Sequence, residues 1–407
     1  MRRTFMKALK LRVDELKKNG RLVKKDERYE VYDIKMSDLV LSLTVLHTEK
    51  STTGHEHENA EEIYHFISGK GEILLGNKKY TAEAGDIFTV PKGTFHRVFN
   101  TCKENLEFIA VFEVYEGRGE SLKAVIPAAG HGTRFLPITK AQPKEMLPVF
   151  DKPTIQYVVE EALGSSLKNI LMVTGRGKRA IEDHFDRNPE LEVYLEKAGK
   201  SDVLKEISRI SELANINYVR QKEALGLGHA ILQAKDFVGN SYFAVLLGDV
   251  ITRPSCLSKI LKIHEKYRAS VIALQEIEPQ DVVKYGVVKK GRELENGTFM
   301  IEDLVEKPEV REAPSNLAIV GRYILSSRIF DILEKGEKGK DGEIQLTDAI
   351  KRLIESEEKV IGFKFSGKVY DIGNKSSWMK SSIELALESE SGNELRKYLK
   401  GILSSPQ

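Results

Sequence analysis

One stretch limits what this chain can fold into more than any other. It reads Lys123-Ala-Val-Ile-Pro-Ala-Ala-Gly130-His-Gly132-Thr133-Arg134 and continues to Pro143-Lys144-Glu-Met-Leu-Pro148. The apolar run from Ala124 to Ile126 reads as a buried parallel strand. It breaks into Gly130-His-Gly132, where two close glycines let the backbone turn sharply and bring its N–H groups against a ligand. Successive N–H groups in such a turn form a concavity suited to phosphate oxygens. Arg134 and Lys144 supply the fixed positive charge that a triphosphate requires.

The loop is neither of the commoner glycine loops. Phe135 occupies the position where a dinucleotide fingerprint places its third glycine, and a Gly-Lys-Ser/Thr sequence is absent. The wider pattern, G-x-G-T-R followed by P-K, resembles the signature of sugar-phosphate nucleotidyltransferases.

A chain of 407 residues exceeds one ordinary domain, so two are expected. Net charge is +2, which gives no electrostatic case for nucleic acid or a membrane as partner. No apolar run approaches membrane-spanning length. Met1 to Gly20 is charged and amphipathic, without the apolar core of a signal peptide. Two cysteines, Cys102 and Cys256, fall in different expected domains, which argues against a disulfide and for a cytoplasmic setting.

Spacing predicts a short helix over Met6 to Lys18. The runs Leu39–Leu46, Ile63–Ile67, Glu72–Leu75, Ile87–Val90, Phe95–Phe99 and Leu106–Val114 read as short strands with glycine turns. They predict an all-β sandwich or barrel. After a polar, glycine-containing joint the pattern alternates. Strands are expected to Pro127, at Ile170–Thr174, Ile216–Val219 and Tyr242–Leu247, with helices from about Ile155, at Lys178–Phe185 and at Gly228–Ala234. Alternation of this kind predicts α/β with a mostly parallel sheet. Glu190 to Leu213 reads as a charged helical insertion, and Asn374 to Leu403 as two amphipathic helices. Their apolar stripe (Trp378, Ile383, Leu385) serves either an oligomer contact or core packing. A homo-oligomer is expected.

His55 and His57 alternate on one strand face, Glu62 follows, and Gly85-x5-Pro91-x-Gly93-x2-His96-x3-Asn100 comes after a hairpin. Alternate strand residues share a face, so His55, His57 and Glu62 can converge, with His96 arriving from a facing strand. Three nitrogens and a carboxylate suit Fe, Mn, Ni, Zn or Co and leave positions open for a ligand. These motifs resemble the cupin superfamily. The first departs at its opening, where Glu49 replaces glycine. Glu62, rather than Glu61, keeps the family's interval to Gly69. The resemblance implies a barrel holding a divalent transition metal. It leaves open a sugar-phosphate isomerase, a sugar sensor and a subunit-holding module.

The second half resembles bacterial-type UTP–glucose-1-phosphate uridylyltransferases from Lys123 to about Leu387. The further motifs are Arg220-Gln221 with Gly226-Leu-Gly-His229-Ala, Leu247-Gly-Asp249-Val, Tyr285-Gly286-Val-Val, Val305-Glu306-Lys307-Pro308, Ala313 to Arg322, Gly342 to Asp348, and Asp371-Ile-Gly-Asn374. Gly248 stands where the family usually carries proline. The resemblance implies Mg2+-dependent transfer of uridylyl from UTP to glucose 1-phosphate. Asp249 and Asp371 would hold Mg2+, Lys144 the α-phosphate, Arg134 the leaving pyrophosphate and Lys307 the sugar phosphate. Glu306 and Gly286 would meet the sugar. Ala129, Gly130, Gly132, Thr133 and Gly226 would surround the nucleotide. Gln221 would read uracil by donating to a carbonyl and accepting from N3–H together. His229 is expected to be structural. Synthesis of dTDP-glucose or another UDP-sugar, and a bifunctional enzyme with an isomerase cupin, stay open as alternatives.

The expected architecture is therefore an all-β cupin barrel at 1–117, a linker at 118–122, and a Rossmann-like α/β nucleotidyltransferase domain at 123–407.

Overall fold

The computed structural model describes residues 12–35, 39–57, 61–113, 122–295 and 297–404. The chain divides into two compact units, Met1–Glu120 and Ser121–Gln407.

The first unit is a β-barrel of two antiparallel sheets. The larger runs in the order Arg21–Lys25, Tyr29–Lys35, Leu39–Leu46, Leu106–Glu113, Glu62–Ser68, Ile87–Val90. The smaller runs Lys78–Glu83, Lys70–Leu75, His96–Asn100. Both contribute to one core: Phe66, Phe108 and Phe112 come from the larger sheet, Ile73 and Val98 from the smaller. Strand Glu62–Ser68 alternates strictly at its start, so Glu62, Tyr64 and Phe66 point inward while Ile63 and His65 face solvent. The strand expected at Phe95–Phe99 is shifted by one residue, to His96–Asn100. Of the helix expected over Met6 to Lys18, residues 1–11 lie outside the described set. The described part is a single 3-10 turn, Val13–Glu15, leading into Leu16–Asn19.

The second unit is built on a nine-stranded sheet. Its first four strands, Asn215–Arg220, Asn169–Thr174, Lys123–Ala128 and Phe243–Leu246, are parallel neighbours in that order. Residues of Lys123–Ala128 alternate between two cores. Val125 packs on one face with Ala230 and Ile231; Ala124, Ile126 and Ala128 pack on the other with Ile155 and Val158. Beyond this half antiparallel pairs dominate, although Ser270–Glu276 and Val360–Lys364 pair in parallel, so the expectation of a mostly parallel sheet is not met there. Leu317–Leu325 lies antiparallel between Phe243–Leu246 and Ser270–Glu276. Gly286–Glu295 and Thr298–Glu306 form an antiparallel hairpin. A hairpin has no helical crossover, which parallel pairing needs. The sheet is therefore mixed.

Two features position the site. The loops after the four parallel strands begin at Ala129, Gly175, Gln221 and Leu247, all at the carboxyl edge where open α/β sheets take ligands. A separate two-stranded ribbon pairs Val250–Arg253 with Lys368–Asp371. The helical insertion is a pair, Pro189–Lys197 and Ser201–Ser211, and the C-terminal pair is Lys375–Leu387 and Gly392–Ser404. Trp378 serves the fold: it packs edge-on near Phe135, and its indole N–H donates to Pro148 O at 2.9 Å. Leu385 is buried in the same cluster. Both cysteines are free. Among the described residues no helix is long and apolar enough to cross a membrane.

Candidate functional site

The glycine loop adopts the conformation its sequence demands. Gly132 sits at φ +65°, and a Cβ there would press on Thr139 at 3.3 Å and on Lys144 at 3.4 Å. The Thr139 hydroxyl donates to Gly132 O at 2.7 Å and closes the turn. Ala129, Gly130 and Thr133 line a cavity of about 550 Å³ that also takes in Gln221, Arg176 and Lys178. Gly132 shapes the loop without lining the cavity.

The Lys144 side chain runs along this loop, its Cε 4.0 Å from where a Gly130 Cβ would sit, and its ammonium contacts Asp249 Oδ2. The ribbon sets Asp371 opposite Val250, and Ile372 N–H donates to Asp249 O at 2.8 Å. The two aspartates, 122 positions apart by numbering (371 − 249), are thus brought to one place. Burial works to raise the Asp249 carboxyl, but the Lys144 ammonium outweighs it and holds the group below its ordinary value. Asp371 goes the other way: burial and the charge of Asp249 raise it. Burial works to lower Lys144, yet Asp249 and Glu145 raise it above an ordinary lysine. Arg134 is exposed and makes no ion pair among the described residues.

On the hairpin side, Glu306 Oε2 accepts from the Thr347 hydroxyl at 2.7 Å, and Oε1 lies 3.2 Å from Lys307 Nζ. Gly286 is wedged between these groups. A Cβ there would come within 2.9 Å of Thr347 Oγ1 and 3.2 Å of Glu306 Oε2. Lys307 sits at φ +44°, an uncommon conformation for a residue with a side chain.

Gln221 follows strand Asn215–Arg220 and is buried at the cavity wall. Its Nε2 donates to Gly226 O at 3.2 Å and lies 3.0 Å from His229 Nδ1, while Gln233 Nε2 lies 3.4 Å from His229 Nε2. Gly226 has φ +105° and backs onto Ile344 so closely that a Cβ would lie 2.8 Å from Ile344 O. One of the two N–H donors of the carboxamide is thus held by Gly226 O.

In the barrel, an isolated bridge pairs His55 with His96 through two backbone bonds. It brings the imidazoles together, Nε2 to Nε2, at 3.2 Å. His96 Nδ1 lies 2.9 Å from Thr94 O, which assigns its proton to Nδ1 and turns the Nε2 lone pair inward. Glu62 Oε1 lies 3.0 Å from His57 Nε2, and Oε2 lies 3.4 Å from His96 Nε2. Among the described residues, neither oxygen of this buried carboxylate has a hydrogen-bond donor in good geometry. One donor atom from each of His55, His57, Glu62 and His96 lies within 4.8 Å of every other.

Comparison with known proteins accounts for both halves. A nucleotidyl transferase family model matches residues 123–387, about two thirds of the chain. The chain belongs to the nucleotidyl transferase family. A cupin domain model matches residues 42–112. A relative from Staphylococcus saprophyticus, named UTP–glucose-1-phosphate uridylyltransferase 1, is 50% identical over 283 residues, covering 69% of this chain and 98% of its own. A UTP-bound UGPase from Acinetobacter baumannii superposes with TM-score 0.64 at 40% identity, covering 70% of this chain and 99% of that one. A UDP-glucose pyrophosphorylase complexed with UDP-glucose gives 0.60 at 43%, covering 66% and 99%.

Three contacts of this nucleotidyl transferase were not legible from residue types. The Tyr285 phenol donates to Asp371 Oδ2 at 3.1 Å. Thr347 holds Glu306. Lys178, buried at the cavity, pairs with buried Glu145 at 2.7 Å. Each lies in or next to a motif the sequence singles out, so motif membership was the available signal.

Proposed function

We propose that this protein transfers a uridylyl group from UTP to glucose 1-phosphate, releasing pyrophosphate, in a Mg2+-dependent reaction. The observation that carries the reading is the meeting of Asp249, Asp371 and Lys144 beside the glycine-loop cavity. Two adjacent carboxylates, one of them raised by burial and by the other's charge, form a donor set that suits a hard cation with oxygen ligands. Magnesium held by Asp249 and Asp371 would supply Lewis-acid charge to phosphate oxygens.

The remaining work falls to the chain's own groups. Attack of the sugar-phosphate oxygen on the α-phosphorus brings two polyanions together, so catalysis rests on positioning and charge neutralisation. Lys144 meets the α-phosphate, and the exposed Arg134 meets the pyrophosphate. The loop of Ala129, Gly130, Gly132 and Thr133 receives the nucleotide, with Gln221 and Gly226 at its base. Glu306 accepts from sugar hydroxyls beside the bare backbone of Gly286, and Lys307 meets the sugar phosphate. The names and titles of the relatives support UTP and a glucose phosphate as the substrate pair. The test is pyrophosphate release across a panel of nucleoside triphosphates and sugar 1-phosphates. UTP with glucose 1-phosphate should be preferred and Mg2+ required. Equal turnover of ATP or GTP would overturn the nucleotide assignment.

For the barrel we infer binding of a divalent transition metal (Fe, Mn, Ni, Zn or Co) through His55, His57, Glu62 and His96. The carboxylate oxygens of Glu62, buried without good donors, and the inward Nε2 of His96 support this. Elemental analysis of the purified full chain tests it.

A further inference from the structure

The barrel's two sheets have outer faces of opposite character. On the smaller sheet the outward positions of Lys70–Leu75 and Lys78–Glu83 are mostly charged. They pair across the strands, Lys70 with Glu83 at 2.8 Å and Lys79 with Glu72 at 2.9 Å. That is the usual solvated side of an antiparallel sheet. The larger sheet carries apolar side chains where the smaller carries charges.

Register shows how far this apolar surface extends. Ile63 pairs with Val111, Val111 with Leu41 and Leu41 with Ile34, so one outward row across four strands is wholly aliphatic. The row beside it reads Tyr32, Leu43, Ile109, His65 and Ile87 across five strands. These positions alternate with inward residues such as Glu62, Tyr64 and Phe66, so none of them belongs to the barrel core. At one end the helix Leu16–Asn19 lies over the sheet: Lys17 reaches Glu107 at 2.8 Å, and Leu16 and Leu43 are buried. The other end is open, with Ile63 47% exposed and Ile87 64% exposed.

Charge and shape both point to the occupant. No side chain in the two rows carries a carboxyl, and His65 is their one basic group. The flanking carboxylates are already neutralised within the chain, Glu107 by Lys17 and Glu30 by Lys25 at 2.8 Å. A charged partner finds nothing to pair with here, whereas the same face from a second copy brings no carboxylates together. A sheet face is matched in shape by another sheet face, packed about 10 Å away. With strands about 4.8 Å apart and about 7 Å between rows, the two rows cover about 300 Å². That is an apolar core, which a polar rim completes toward the roughly 800 Å² per partner of a standard interface. We propose that this face docks a second copy of the chain, sheet against sheet about a two-fold axis, with Ile63 and Ile87 in the buried centre.

The experiment is sedimentation equilibrium of the full chain as wild type, Ile63→Lys, Ile87→Lys and Thr81→Lys, the last on the charged outer face. Ile63 and Ile87 are exposed in the single chain, so lysine there leaves the barrel folded, which circular dichroism checks. Each isoleucine variant should weaken association about 30-fold or more, the scale of a central contact. Thr81→Lys should match wild type. A wild type that stays monomeric, leaving the face to lipid or to a different protein, overturns the proposal. So does association unchanged in both isoleucine variants. A second readout needs no variant. His65 is exposed in the single chain and would lie beneath the partner copy. Its modification by diethyl pyrocarbonate, mapped by peptide mass, should therefore be slower in concentrated wild-type protein than after dilution. Equal rates at both concentrations would also overturn the proposal.

Discussion

The Tyr285 phenol and the Asp371 carboxylate, 86 positions apart, share a hydrogen bond of 3.1 Å. Burial and the neighbouring Asp249 raise Asp371, and the tyrosine bond opposes them by favouring the ionised form. Tyr285 thus aims one of the two proposed magnesium ligands and helps keep it charged. Tyr285→Phe should raise the Mg2+ concentration for half-maximal activity about tenfold or more, the usual cost of losing a partner behind a metal ligand. Rate at saturating Mg2+ should change much less. A magnesium titration of pyrophosphate release checks this, and an unchanged midpoint would remove the role.

Glu49 occupies φ +56°, in the left-handed region. This is the position where the cupin motif opens with glycine, so the departure noted in the sequence coincides with local strain. A side chain there costs about 1–2 kcal/mol. Glycine gives back about 0.4–1 kcal/mol through a looser unfolded chain. Glu49→Gly should therefore stabilise the barrel by about 0.5–1 kcal/mol. Hydrogen exchange at the Asn100 amide, which donates to Lys50 O at 2.8 Å, reports on that neighbourhood. Faster exchange in the variant is the contrary result.

Only part of the barrel's proposed donor set was readable from local pattern. Alternation on Glu62–Ser68 turns Glu62 inward with Tyr64 and Phe66, but His55 and His57 lie in no named strand; His55 makes an isolated bridge to His96, 41 positions on, so the shared strand face expected of the two histidines is not what gathers them. The parallel half of the second sheet was readable for a similar reason, since strand and helix alternate along the chain. The antiparallel half was not. That Leu317–Leu325 inserts beside Phe243–Leu246 depends on pairing across some seventy residues, which no local period encodes. The same holds for single side chains. Thr347 reaches Glu306 across 41 positions and Arg322 reaches Glu161 across 161. Motif membership marked Thr347, Glu306 and Arg322, and only the fold supplied their partners.

The proposed metal site of the barrel makes its own prediction. His96 is buried, with Nδ1 committed to Thr94 O and Nε2 turned toward Glu62 and His55. Full-length protein should carry about one transition-metal ion per chain at this four-donor set. His96→Ala should cut affinity at least about tenfold, since even partners behind the ligands are worth that much. Elemental analysis after dialysis checks both. Metal-free protein that also fails to take up Mn, Fe, Ni, Co or Zn is the opposing result.

Arg322 is fully buried, and its guanidinium bridges both sides of the turn that carries Asp249. Nη2 donates to Val250 O at 2.6 Å and Nη1 reaches Leu247 O at 3.4 Å. Nε and Nη2 both donate to Glu161 Oε2, at 3.1 and 2.8 Å, and Glu161 also accepts from Thr252 and Ser255. Burial works to raise Glu161, but the charge and hydrogen bonds of Arg322 outweigh it and hold the carboxyl below 4.5. A depressed native value means that Glu161 stabilises the fold fully above pH 4.5 and loses that contribution as pH falls through the lower native value. Glu161→Gln should cost about 3 kcal/mol at neutral pH, because it strands a buried charge. That deficit should narrow in acid below pH 4.5. The double variant Glu161→Leu with Arg322→Met removes both charges and should recover most of the stability. Activity should stay down about 100-fold, because the carbonyls flanking Asp249 lose their donor and the carboxylate its aim. Urea unfolding followed at Trp378, the sole tryptophan, and pyrophosphate release separate the two effects. A double variant both stable and fully active would show that Arg322 supports the fold without positioning Asp249.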